Sequence, residues 1–181
     1  MTTTPSTTSI NTDLLPTVRN IDEAREICGD YASVLTVGPD HSEVADFGHR
    51  DHKIVTFDDV TSSFGGYRAP TYQHVRDIME WGVGRTNLLV HCHAGMSRST
   101  SSAWGIAIAN GFDPQEAYDL LKRNHPVVAH RAWSPRAELG TYLRRRAFIP
   151  NELVLVHLEK YLGLRGGLLR DIAADGAATS D

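Results

Sequence analysis

The stretch LLVHCHAGMSRST, residues 88–100, decides what kind of protein this chain encodes. Four residues of strong β character run into Cys92, which stands between His91 and His93; Gly95, Arg98 and a run of hydroxyl residues follow. From Arg98 onward the apolar residues fall at helical spacing, Trp104, Ile106, Ala107 and Ile108, closed by Asn110-Gly111. Strand, tight loop, helix is the arrangement with which α/β proteins hold phosphate. A loop of about six residues can turn its backbone N–H groups inward, where they join the positive end of the helix dipole around one tetrahedral dianion. Gly95 allows a positive φ and puts no side chain into such a cradle. Arg98 stands where the helix begins; its planar guanidinium can hold two phosphate oxygens and keeps its charge. Cys92 ends the strand and faces the same cradle. Donors that bind phosphate also favour a thiolate, and a thiolate beneath a bound phosphoryl group is placed for in-line attack. The pattern therefore assigns phosphate binding to the loop's backbone N–H groups. It assigns Cys92 to covalent phosphoryl transfer.

Working outward, RNIDEAREICG (19–29) predicts a short helix stopped by Gly29, and ASVLTVG (32–38) and HKIVTF (52–57) predict strands. TSSFGGYRAP (61–70) is a loop with paired glycines, and TYQHVRDIMEWG (71–82) is a helix with Val75, Ile78 and Met79 on one face. NLLVH (87–91) is apolar enough to lie centrally in a sheet. DPQEAYDLLKRNH (113–125) is a helix capped by Asp113 with Pro114 in its first turn. Two more helices are expected, over 134–146 with Ser134 as cap and over 150–163. Strands alternating with helices, followed by a run of helices, predict an α/β fold: a largely parallel central sheet flanked by helices in a three-layer sandwich. Residues 1–17, rich in Thr, Ser and Pro, are expected to be a disordered tail, 18–163 the domain, and 164–181 a flexible tail.

The chain has 181 residues, enough for one domain with a sizeable core, and its net charge of −4 argues against a general nucleic-acid binder. The charge is uneven: residues 1–90 carry 7 Lys/Arg against 13 Asp/Glu, whereas 122–146 carry seven basic residues against Glu138 alone. A basic surface late in the chain would attract an anionic substrate, or would simply be a solvated helix face. Two cysteines, Cys28 and Cys92, make no disulfide framework, and Cys28 fits a small buried helix residue. The start MTTTPSTTSINT lacks the basic and apolar regions of a signal peptide, and no apolar run approaches the roughly 18 residues of a membrane span. The expectation is a cytoplasmic protein, monomeric, with no membrane or nucleic-acid partner. His91 and His93 in a strand would point away from Cys92, poor geometry for three ligands, so no metal and no other cofactor is expected.

The string HCHAGMSRS resembles the active-site signature of the cysteine-based protein tyrosine phosphatases, and the AGMSRS form is most similar to the dual-specificity branch. The resemblance runs from about residue 53 to about residue 146. It implies that Cys92 forms a phosphocysteine intermediate and that Arg98 binds the phosphate and stabilises the transition state. It further implies that His91 hydrogen-bonds within the loop and helps hold the thiolate, that Ser99 donates to the thiolate as it leaves, and that the backbone N–H groups of His93, Ala94, Gly95, Met96, Ser97 and Arg98 complete the phosphate cradle. The implied substrate is a phosphoprotein or phosphopeptide carrying phosphotyrosine, with phosphoserine and phosphothreonine also open. The loop interior HAGMS carries no Lys, unlike many phosphoinositide phosphatases of this superfamily. Competing readings are a phosphatase of a non-protein phosphomonoester (phosphoinositide, nucleotide or RNA end) and a non-catalytic phosphate-binding module.

The leaving oxygen of such a reaction needs a proton, and the later water needs a base; one carboxylic acid on a nearby loop can serve both steps. In relatives the acid follows the strand equivalent to HKIVTF. Asp59 is the first choice and Asp58 the second, one of the two being expected to cap a turn; Asp46 and Asp51 precede the strand and rank lower. Many relatives carry Pro-Asn in the late segment, where the amide helps position the hydrolytic water. Ser134-Pro135-Arg136 offers Arg there, which leaves that helper unassigned. Tyr67 and Arg68 are open to both a pocket-mouth and a surface role, and Trp104 and Trp133 are expected to pack rather than to bind.

Overall fold

A computed structural model describes residues 11–39, 47–125, 128–131, 142–145 and 148–178. Four strands form one all-parallel sheet: β1 (Thr17–Arg19), β2 (Ser33–Gly38), β3 (His52–Thr56) and β4 (Leu88–His91), in the order β1-β4-β2-β3. β4 is central, as its four apolar-rich buried residues require. Around the sheet lie α1 (Ile21–Ile27), α2 (Tyr72–Gly82), α3 (Arg98–Ala109), α4 (Pro114–Asn124), α5 (Glu152–Leu162) and α6 (Leu168–Ala178). The fold is α/β, with helices on both sheet faces.

Side-chain alternation along β2 and β4 explains the layers. Leu35, Val37, Leu88 and Val90 face one way, into the main core with Val75, Ile78 and Met79 of α2, Trp104 and Ile106 of α3, and Leu155 and Leu158 of α5. Val34 and Leu89 face the other way, onto Ala24 of α1. Trp104 is fully buried, and its Nε1 donates to the Pro114 carbonyl at 2.9 Å, a packing role. The helix ends follow their capping residues: Thr71 and His74 make a reciprocal capping box on α2, and Asp113 accepts from Gln115 and Glu116 N–H on α4.

Three segments depart from expectation. Thr17–Arg19 is an edge strand rather than the end of a tail, because it pairs with Leu89–His91 and buries Val18. Residues 142–145, expected to be helical, form β6, antiparallel to β5 (Val128–Arg131). Ser134 and the rest of 132–141 lie outside the described residues, as do Trp133 and Arg136. From residue 164, where composition suggests a tail, the chain makes α6 and buries Leu169 completely. Glu159 of α5, itself buried, accepts the N–H of Gly167 and of Leu169 at 2.8 Å each and so caps the start of α6. Residues 1–10 lie outside the described residues.

Candidate active site

The loop between β4 and α3 sits at the carboxyl end of the sheet, where parallel α/β folds present ligands. Its shape follows from where its carbonyls go. The His93 carbonyl accepts from Ile21 N–H at 3.2 Å, at the start of α1. The Gly95 carbonyl accepts from buried His125 Nε2 at 2.6 Å. The Met96 carbonyl accepts from Ile149 N–H at 3.0 Å and from the Thr100 hydroxyl at 2.7 Å. The Ser97 carbonyl accepts from the Ser101 hydroxyl at 2.8 Å and from Ser101 N–H at 3.0 Å, and shares with the Met96 carbonyl the single proton of the Thr100 hydroxyl, 2.8 Å away. Every one of these bonds comes from outside the loop. Holding the carbonyls outward turns the intervening amides inward, and Gly95 N–H points at Cys92 Sγ at 3.2 Å. The hydroxyl run of the motif thus has a structural purpose: it ties the loop onto the first turns of α3.

Gly95 has φ +72, and a Cβ there would lie 2.7 Å from Asn20 N and 2.8 Å from Arg19 C. The β1–α1 junction therefore abuts the loop so closely that only glycine fits. Cys92 is buried, and the Ser99 hydroxyl lies 3.1 Å from its Sγ. Arg98 is 8% exposed; its Nη1 donates to the Phe57 carbonyl at 3.0 Å, while Nε is buried with no hydrogen-bond partner among the described residues. A buried guanidinium edge with unspent donors calls for an anionic acceptor.

The adjacent carboxylates Asp58 and Asp59 separate cleanly. Asp58 turns back into its own loop: its Oδ2 accepts Arg68 N–H, and its N–H donates to the Arg68 carbonyl, both at 2.7 Å. Asp59 turns to the β4–α3 loop, where its Oδ1 accepts the Ser97 hydroxyl at 2.7 Å. A second donor reaches the same oxygen, Asn151 Nδ2 at 2.8 Å. Asn151 is firmly held: its Oδ1 caps α5 by accepting from Leu153 and Val154 N–H, and its own N–H donates to Ser101 Oγ at 2.7 Å. Asp51 is engaged elsewhere, by Ser33 at 2.6 Å and by Arg85; Asp46 lies outside the described residues.

His91 and His93 diverge. His93 is exposed, whereas His91 is fully buried, with Nε2 2.6 Å from Thr36 Oγ1. Burial first, then the neighbouring His52, push its pKa down to about 4, against a raising contribution from the Cys92 backbone, so the ring is neutral at pH 7. Among the described residues no three or more His, Cys, Asp or Glu side chains cluster in a way that could hold a metal ion. Cys28 is half-buried and packs beside Ala24, Val34 and Leu89. Tyr67 pairs with Phe64 at 5.4 Å near the tip of the Asp58–Arg68 loop, and both rings are exposed.

The structure thus brings together Cys92, Arg98, Ser99, Gly95, Ser97 and Asp59. Sequence reasoning missed Asn151, His125 and Thr36. Asn151 follows Pro150, a Pro-Asn pair read from the sequence only as the opening of a helix. His125 and Thr36 carry no local signal at all. Compared with protein-family models and with curated proteins, the chain gives no match to either.

Proposed function

We propose that this chain is a cysteine-dependent phosphatase that hydrolyses phosphotyrosine, and phosphoserine or phosphothreonine in a shallower pose, on a protein or peptide. The observation that carries the reading is the loop in which the carbonyls of His93, Gly95, Met96 and Ser97 are drawn outward around Cys92, with the Arg98 guanidinium buried at its edge. Inward amides and a guanidinium bind the three non-bridging phosphate oxygens and hold phosphorus over Sγ. Cys92 attacks as the thiolate, forming the S–P bond as the bond from phosphorus to the ester oxygen breaks. Asp59 delivers its proton to that oxygen. In the second step Asp59, now a carboxylate, takes a proton from water as the water attacks phosphorus. The S–P bond breaks, Ser99 donates to the departing thiolate, and inorganic phosphate leaves.

Asn151 supplies the amide that Ser134-Pro135-Arg136 did not offer. With Ser97 it anchors Asp59 through Oδ1, which leaves Oδ2 to carry the proton. A loop interior without Lys suits a single phosphomonoester better than a polyphosphorylated headgroup. Among the described residues no helix is long and apolar enough to cross a membrane, and the proposed setting is the cytoplasm, where Cys92 stays reduced. The test is turnover of an aryl phosphate by the wild type, its loss in Cys92→Ser, and persistence of activity with a chelator. A panel of phosphopeptides, phosphoinositides and RNA 5′ ends then separates the substrate classes; preference for either of the last two would overturn the protein-substrate assignment.

A further inference from the structure

A line of polar side chains crosses the sheet on the face that otherwise packs against α1. Thr36, 2% exposed, stands in β2 directly opposite His91 in β4. Its single hydroxyl lies 2.6 Å from His91 Nε2 on one side and 2.6 Å from His52 Nε2, on β3, on the other. Phe47 stacks on both imidazoles, at 4.8 Å from His91 and 5.8 Å from His52, which fixes both ring planes. His91 precedes the nucleophile. Its Nδ1 makes no hydrogen bond of ordinary geometry among the described residues, but the Cys92 backbone beside it raises the ring's affinity for a proton. A neutral imidazole carries one proton on one of two nitrogens, and the partner of one nitrogen decides which. One hydroxyl between two rings couples the choices. It can donate to only one Nε2, so the other Nε2 is the donor.

We propose that His52 and Thr36 are positioning residues for the phosphatase site: His52 Nε2–H donates to Thr36, Thr36 donates to His91 Nε2, and His91 is thereby held with its proton on Nδ1, facing the Cys92 backbone. A proton on Nδ1 puts a donor on the side of the residue that carries the thiol. The opposite tautomer would place a lone pair against Cys92 and leave its backbone without the donor. The charged groups around the array keep His91 neutral: Arg25 of α1 lies over Phe47 at 5.8 Å and, like His52, disfavours a proton charge on His91, and Arg19 of β1 is the register partner of His91.

The positioning role rests on the proposed phosphatase reading, so its test carries a readout that needs no activity. Long-range 1H–15N spectra of 15N-histidine-labelled protein at neutral pH should show His91 as the Nδ1–H tautomer and His52 as Nε2–H. Thr36→Val should shift the His91 nitrogens toward a tautomer mixture and lower kcat roughly tenfold, about the worth of one net hydrogen bond, with KM little changed. Thr36→Ser should restore both. Should Thr36→Val not fold, His52→Asn, at a half-buried position, should shift the His91 nitrogens in the same sense. Finding His91 protonated on Nε2, or its nitrogens unmoved by the substitutions, overturns the array. A changed tautomer with unchanged kcat overturns its positioning role. Absence of any phosphatase activity in the wild type counts against the phosphatase reading, and the tautomers then decide the array by themselves.

Discussion

Replacing Gly95 by Ala tests the loop geometry at its tightest point. An L-residue at φ +72 costs about 1–2 kcal/mol. The new methyl would also meet backbone, 2.7 Å from Asn20 N and 2.8 and 2.9 Å from Arg19 C and O. Backbone cannot rotate aside as a side chain can, so the β1–α1 junction and the loop must separate, an overpacking cost of about 1–3 kcal/mol. Together these give a loss of about 2–5 kcal/mol. At about 2–4 °C per kcal/mol for a chain of this size, Tm should fall by roughly 4–20 °C. Separation also draws Gly95 N–H away from Cys92 Sγ, so the proposed phosphatase turnover should fall by more than the lost stability explains at temperatures where the variant remains folded. Gly66→Ala is the control. Gly66 has φ +89, and a methyl added there would meet no heavy atom within 4 Å, so only the conformational strain of about 1–2 kcal/mol applies. Urea unfolding and thermal melts of both variants give the comparison. Equal losses in the two, or wild-type stability in Gly95→Ala, would refute the close approach of Arg19 and Asn20 to the loop.

Asp59→Asn should slow hydrolysis of phosphotyrosine-like esters by roughly 10²–10⁴-fold, with a smaller loss as the leaving group becomes more acidic. Asp58→Asn should cost little, since an amide oxygen can still accept Arg68 N–H; the reverse pattern in steady-state rates would exchange their roles. The folded pKa of His91 is held near 4, below its ordinary 6.5, so between these values the unfolded chain binds the proton and the folded chain does not. Stability should be full above about pH 6.5 and fall by about 3 kcal/mol as pH drops to 4, and denaturant melts of His91→Asn should lack this component. Glu159→Ala leaves the buried Leu169 N–H and the Gly167 N–H without their acceptor. It should cost about 2–4 kcal/mol and speed hydrogen exchange across 168–178; unchanged exchange would refute the capping role.

What could be read from the sequence was local. Periodicity placed β2, β3, β4 and the helices α1 to α5, because each carries its apolar pattern within its own length, and α1, α2, α4 and α5 are marked by their own capping residues as well. Arg98, Gly95 and Cys92 were legible because a strand–loop–helix needs those residue types within one short segment. β1 was not, since three residues with one buried Val acquire strand character only by pairing with a partner some 70 residues away. β6 escaped for the same reason, its pairing with β5 being invisible to a helical pattern of Arg and Leu. α6 looked like a tail because Gly and Ala dominate it; its stability comes from Glu159 and the burial of Leu169, neither of which its composition reveals. Asp58 and Asp59 could not be separated by adjacency, and only the direction of each carboxylate does so. Asn151 reads plainly as a helix cap, and that is half of its role; the other half is a contact with a residue 92 positions earlier.

The central claim is that Cys92 becomes phosphorylated during turnover. Wild-type protein should be mixed with an aryl phosphate, quenched in acid within one turnover, and its peptides analysed by mass spectrometry. One phosphoryl group is expected on the peptide carrying Cys92, none on the peptide carrying Cys28, and loss of the adduct at the rate of turnover in samples quenched at successive times after the substrate is exhausted. Turnover at full rate with no adduct at Cys92, or an adduct formed equally well in Cys92→Ser, would contradict it.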